Sequence, residues 1–135
     1  MASTFYPKGA EKILGKLIDF PGDTIKMAVV SDAYTYSAAH EFLSDLGTVL
    51  GTPATLASKT TTGGAFDAAD TSTGVLAGGS VAKAVVLFKD TGVAGTSPLL
   101  AYIDGLTGFP FTTTGSSGTV IWPSGTARIF SLMPA

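Results

Sequence analysis

The sequence has no cysteine and a single histidine, and only eight Lys and Arg against ten Asp and Glu in 135 residues. Each shortage excludes something. Without cysteine there are no disulfides, thiolate ligands or cysteine nucleophiles, which agrees with synthesis in a reducing cytosol. One histidine without cysteine removes the usual zinc ligand sets, so we expect no metal and no cofactor. The basic residues are scattered without a run and the net charge is -2. A nucleic-acid binder normally carries a basic stripe, so no nucleic acid is expected as a partner. No apolar run reaches the roughly 18 residues of a spanning helix. The opening MASTFYPKGAEKILGK lacks the charged region and sustained apolar stretch of a signal peptide. No membrane partner is expected.

Charge is also scarce in total. Charged residues make up 13% and hydrophobic residues 45%, the former about half the usual share. Thr, Ser, Gly and Ala must then cover much of the surface. Two readings follow: a surface partly hidden by other subunits, or a small β-protein with a Ser/Thr-rich exterior. The length suits one domain. We expect a single β domain over residues 1–135, with residues 1–7 as an N-terminal arm.

What is present is mostly strand pattern. In AVVLFKDTGVAGTSPLLAYID, Ala84–Asp104, two apolar segments flank a polar, glycine-bearing turn. Over Ser80–Lys89, alternation puts Val81, Val85 and Leu87 on one face. Ala82, Ala84, Val86 and Phe88 lie on the other, as in a central strand buried on both sides. Pro98–Asp104 reads as its partner, with Leu99, Ala101 and Ile103 on one face and Leu100 and Tyr102 on the other. Asp23–Ser31 reads as a half-buried strand with Ile25, Met27 and Val29 inside. Short strands are expected around 55–60, 64–68 and 75–77, and a final hairpin over 119–122 and 127–132 around the turn sequence PSGT. Two short helices are expected. Lys8–Lys16 has Pro7 at its start and an apolar stripe of Ile13, Leu14 and Leu17. Ser37–Leu46 has Ala39, Phe42, Leu43 and Leu46 at helical spacing, Ser37 as N-cap and Gly47 past the end. The fold class is therefore all-β, a sandwich or jelly-roll-like barrel with one or two short helices.

Catalytic chemistry finds little to work with. His40 stands beside Glu41; a catalytic base needs a nucleophile or substrate within reach and usually a third group to orient it, and a lone histidine reads as a surface or edge residue on a docked helix. The carboxylates are dispersed. Asp19, Asp23 and Asp90 adjoin Gly or Pro turn residues, where Asp bonds its own backbone, and this explains them without a glycosidase-like pair. TGGAF and AGGS lack the Lys-Ser or Lys-Thr of a phosphate loop. We expect no catalytic residue. Phe5 and Tyr6 on the arm, with Tyr34 and Tyr36, are the candidate interface residues. Trp122 and the tyrosines could alternatively form a sugar-stacking platform.

The stretches FYPKGAEKILGKLIDFPGDTIKMAVVSDAYTYSAAHEFLSDL and LFKDTGVAGTSPLLAYID resemble a family of small virion proteins of tailed bacteriophages. The resemblance covers the first 46 residues and residues 82–104. It is looser in the middle and only general at the C-terminal end. It implies a non-enzymatic structural component of the particle, in first place a capsid decoration or cement protein on the capsid surface. Such a protein clamps joints between copies of the major capsid protein and self-associates as a homotrimer, after synthesis in the host bacterial cytoplasm. The alternatives are a tail or tail-tip structural protein and a carbohydrate-binding attachment module. The shared motifs are structural, and a fold does not fix a function.

Overall fold

The computed structural model describes residues 2–104, 106, 108–122 and 129–131. Its centre is an antiparallel sheet in the order β1 (Ala2–Phe5), β7 (Leu99–Asp104), β6 (Val81–Lys89), β2 (Ile25–Ser31) and β3 (Leu50–Thr55). β8 (Phe111–Thr112) pairs with the start of β6. Two ribbons complete the chain. β4 (Ala65–Phe66) pairs with β10 (Phe130–Ser131), and β5 (Thr71–Val75) with β9 (Ser117–Val120). The protein is all-β, a sandwich with one short helix, α1 (Pro7–Leu14).

The sheet separates two cores. On one side Ile25, Met27 and Val29 of β2 meet Val85 and Leu87 of β6, Ile103 of β7, and Phe66, Val120, Trp122 and Phe130 from the ribbons. On the other, Ala28, Val30, Ala84, Val86 and Phe88 lie under Tyr6, Tyr34, Leu46 and Tyr102. β2 is thus buried on both faces, where alternation suggested one. Its outer residues are small enough to accept tyrosine rings.

Two bulges alter the expected faces. In β7 the register moves from Leu87↔Ala101 to Phe88↔Leu99, so Leu100 is an extra residue. Leu99 therefore joins Tyr102 on the tyrosine side, and Leu100 joins Ala101 and Ile103 on the other. In β6 the step from Val30↔Ala84 to Ser31↔Ala82 leaves Lys83 extra. Ala82 then faces the same core as Val85 and Leu87, and Val81 is only half-buried. A bulge inserts one residue into one strand and reverses the alternation beyond it, which simple period-2 reading cannot anticipate.

The N-terminal stretch forms the edge strand β1, paired with β7 of the same chain from Ala2↔Asp104 to Phe5↔Ala101. Residues 1–7 were expected as an arm reaching a neighbour. Residues 2–5 instead lie along the parent sheet, and Tyr6 continues the ladder by donating its amide to Leu100 O at 3.1 Å. α1 follows with Pro7 in its first turn and Gly15 closing it. Gly9 is required: a Cβ there would overlap the Leu99 carbonyl oxygen. Of the expected apolar stripe, Ile13 packs on the core, whereas Leu14 is 88% exposed and Leu17 62%.

The second helix is a correction. Ser37–Phe42 is not helical, and only Leu43–Leu46 forms a single 3-10 turn. Ser37 Oγ accepts the Ala39 amide, giving a local turn in place of a helix cap. Glu41 O accepts from Leu99 N, and Leu43 N donates to Ser97 O. A sheet edge that takes these backbone groups outbids two turns of helix, which are marginal in water alone. Further along, the strand expected at 55–60 is instead β3, five residues earlier. It contains Pro53 and the positive-φ Gly51, tolerable only at an irregular edge. The strand expected at 75–77 ends at Val75. β9 and β10 were expected to pair with each other, but they join β5 and β4 respectively. The turn sequence at 123–126 lies outside the described residues.

Candidate functional site

The most organised polar feature lies on the tyrosine side. Tyr6 follows β1 and is 0% exposed. Its hydroxyl lies 2.7 Å from the Tyr34 hydroxyl, which lies 2.8 Å from His40 Nδ1. Tyr36 donates its hydroxyl to Phe5 O at 2.9 Å. The rings of Tyr6 and Tyr36, of Tyr36 and Tyr102, and of Tyr34 and His40 stack in tilted pairs 5.0–5.6 Å between centroids. Tilted and edge geometries suit the ring quadrupole, and a buried phenol normally finds a partner for its hydroxyl. Burial pushes the Tyr6 phenol far above its ordinary range, reinforced by the Tyr34 hydrogen bond and neighbouring phenols. Burial also raises Tyr34. Both phenols are therefore held neutral, as hydrogen-bond donors and not as nucleophiles.

The segment carrying Tyr34, Tyr36 and His40 is fixed by polar contacts at its far end. Asp45 accepts the amides of Glu41 and Phe42 at 2.8 and 2.9 Å. These two backbone bonds hold its carboxyl below the usual carboxylate range. Lys12 of α1 reaches Glu41 at 2.7 Å and lies 5.2 Å from the centre of the Phe42 ring. His40 was expected on a helix beside Glu41. It sits instead in a turn, its ring bonded to a tyrosine six residues back.

Phe5 packs edge-on against Phe130 at 4.8 Å, Tyr6 and Tyr34 are buried, and Tyr36 is half-buried with its hydroxyl satisfied. Tyr6 and Tyr34 present no surface to a neighbour, because their rings and hydroxyls are taken up inside this chain. Trp122 is 4% exposed and donates Nε1–H to Thr71 Oγ1 at 3.3 Å. A sugar-stacking platform built on it is therefore corrected to a core position.

The turn aspartates behave as their sequence positions suggested. Asp23 accepts the Asp19 amide at 2.8 Å and pairs with Lys89 at 3.2 Å. Asp90 accepts from Gly92 N and pairs with Lys26 at 3.0 Å. Backbone donation, led by Asp19 N and Gly92 N, lowers both carboxyls. Asp70 accepts from Trp122 N. Shallow clefts occur among the described residues. One of about 170 Å³ is lined by Thr73, Phe109, Phe111 and Thr119 among others. Another, of about 120 Å³, is almost wholly apolar and lies between Ile13, Phe20, Phe66 and Phe130. Among the described residues no ionisable side chain lines either. Among the described residues no three His, Cys, Asp or Glu cluster as metal ligands would.

The Tyr6–Tyr34–His40 chain is what sequence reasoning missed. Its members are 28 and 6 residues apart, and only the β1–β7 pairing brings Tyr6 beneath Tyr34. No local spacing signals it. Compared with known proteins, the chain matches no family model, no curated protein and no solved structure.

Proposed function

We propose that this protein is a non-enzymatic structural component of a tailed-phage particle, a decoration or cement protein that binds over joints between major capsid proteins. The observation that carries the reading is the contrast between a satisfied interior and a poorly solvated exterior. Leu14, Leu17, Val75, Val93 and Ile121 are large apolar side chains left exposed on a chain with 13% charged residues. Surfaces of this kind are favourable when covered, since few charges must be desolvated. Asp23, Asp45 and Asp90 are engaged in holding loops. A homotrimer on the shell would engage several sites at once and raise effective affinity without stronger individual contacts.

The test is to assemble particles with and without this chain and image them by electron cryo-microscopy. The reading expects density at fixed stoichiometry over capsid joints, and shells lacking the chain should rupture at lower temperature. Density confined to the tail, or an isolated chain that binds a glycan and leaves shells untouched, overturns it.

A further inference from the structure

We propose that His40 is the accepting end of a one-way hydrogen-bond chain, and that placing a proton on its Nδ1 unlatches residues 33–40 from the tyrosine face. The inference is independent of the virion reading. The hydrogens of the two hydroxyls fix the direction of the hydrogen bonds. Each phenol carries one. Tyr6 is fully buried, and the partner of its hydroxyl among the described residues is Tyr34 at 2.7 Å. The Tyr6 hydrogen must therefore point to the Tyr34 oxygen. The Tyr34 hydrogen is then directed to His40 Nδ1 at 2.8 Å. Nδ1 must carry a lone pair, and the imidazole hydrogen sits on Nε2. The opposite polarity would leave the Tyr6 hydrogen with no acceptor among the described residues, which is costly for a buried donor.

A proton added to His40 occupies Nδ1. Nδ1–H then faces the Tyr34 oxygen, the Tyr34 hydrogen turns back toward Tyr6, and the Tyr6 hydrogen is left unbonded. The groups around His40 offer no relief. Tyr36 is committed to Phe5 O. Asp45, near enough for its charge to interact with His40, accepts the amides of Glu41 and Phe42. Glu41 is held by Lys12, and Lys83 Nζ donates to Tyr34 O at 3.3 Å. Tyr102 packs beside Tyr34 and Tyr36, and among the described residues neither it nor any of these groups hydrogen-bonds the Tyr6 hydroxyl, whose partner is Tyr34. Relief comes from swinging the Tyr34 and His40 segment outward, while residues 41–43 stay tied to Ser97 and Leu99.

His40 is the only histidine, so its ring nitrogens give a single set of signals in long-range ¹⁵N–¹H spectra of the labelled full chain. With His40 neutral, we expect Nε2 protonated and Nδ1 bare. Tyr34→Phe should remove that preference and populate both tautomers. In the same samples, amide protection over residues 33–40 is followed through acidification, corrected for the intrinsic pH dependence of exchange. Protection should fall by about ten- to a hundredfold in step with imidazole protonation. His40→Asn keeps an acceptor near the Nδ1 position and cannot take up the proton, so its protection should stay level. A neutral wild-type His40 carrying hydrogen on Nδ1 overturns the proposal. So does protection that ignores imidazole protonation, or a His40→Asn variant that loses it as the parent does. If either variant fails to fold, the wild-type tautomer and protection measurements still decide.

Discussion

The two faces of the central sheet are filled by different means. One is a dry core in which Ile25, Met27, Val29, Leu87 and Ile103 meet Phe66 and Phe130, and its stabilisation scales with apolar area removed from water. The other lays tyrosine rings on a floor of Ala28, Ala84, Val30 and Val86 and directs the hydroxyls of Tyr6, Tyr34 and Tyr36 to named acceptors. The first face needs shape and hydrophobicity alone. The second also needs each polar atom partnered, because a buried donor without an acceptor forfeits its desolvation cost. The dry side should therefore tolerate isosteric exchange, and the tyrosine side should not.

The comparison is broken most directly by truncation on adjacent residues of β6 that face opposite ways. Leu87→Ala on the dry side should cost about 2–5 kcal/mol, and Phe88→Ala on the tyrosine side about 3–5 kcal/mol, read by chemical denaturation. Both are essentially buried. A loss below about 1 kcal/mol for Phe88→Ala would show that the tyrosine face is a cover and not a core.

The next effect tests how α1 is seated on the sheet. Gly9→Ala places a methyl group against the Leu99 carbonyl oxygen and should cost about 1–3 kcal/mol through a forced backbone shift. Gly95→Ala is the control. A Cβ there meets nothing within 4 Å, and its melting temperature should stay within the equivalent of about 0.5 kcal/mol.

How much of this was legible follows the same division. The dry core was written in alternation. Ile25, Met27, Val29, Val85 and Leu87 face one way as period-2 patterning requires, and α1 begins at Pro7 as its composition suggests. Faces were misread where Leu100 and Lys83 are inserted as bulges, since the extra residue is a property of two strands together. Residues 37–42 carry a helical pattern but surrender their backbone groups to Ser97 and Leu99, a tertiary choice that local propensity does not see. The tyrosine chain was illegible for the same reason. Tyr6, Tyr34 and His40 were visible as individual aromatics, but their hydrogen bonds depend on β1 folding onto β7. That pairing also removes the arm that the first residues were expected to supply.

Within the tyrosine face, position along the chain should set the cost of losing a hydroxyl. Tyr34 sits between two partners, so Tyr34→Phe leaves both the Tyr6 hydrogen and His40 Nδ1 unmatched and should cost about 1–3 kcal/mol. Tyr6→Phe removes an end, leaves the Tyr34–His40 bond intact and should cost about 0.5–1.5 kcal/mol. Urea titrations of both variants read the difference. Equal costs would mean that the Tyr34–His40 bond contributes nothing to stability.

The smallest expected effects separate the faces by pH and salt. Asp23, Asp45 and Asp90 all have lowered carboxyl pKa values. A carboxyl lowered by folding contributes stability above its unfolded value, about 3.9, and loses it as pH falls through the lower folded value. With His40 replaced by Asn, so that imidazole protonation plays no part, the melting temperature should hold level from neutral pH down to about 4 and decline below. The gap between the parent and each Asp→Asn variant should close over that decline, because a protonated Asp and an Asn are alike in charge. Salt then distinguishes the positions. Asp23 and Asp90 face Lys89 and Lys26, and these part-exposed pairs are screened as ionic strength rises. Asp45 is anchored by two backbone amides of the segment over the tyrosine face. The Asp45→Asn deficit should therefore persist in molar salt, while the deficits at Asp23 and Asp90 shrink. If all three shrink alike, long-range charge is holding the tyrosine cover in place and the local amide bonds are not.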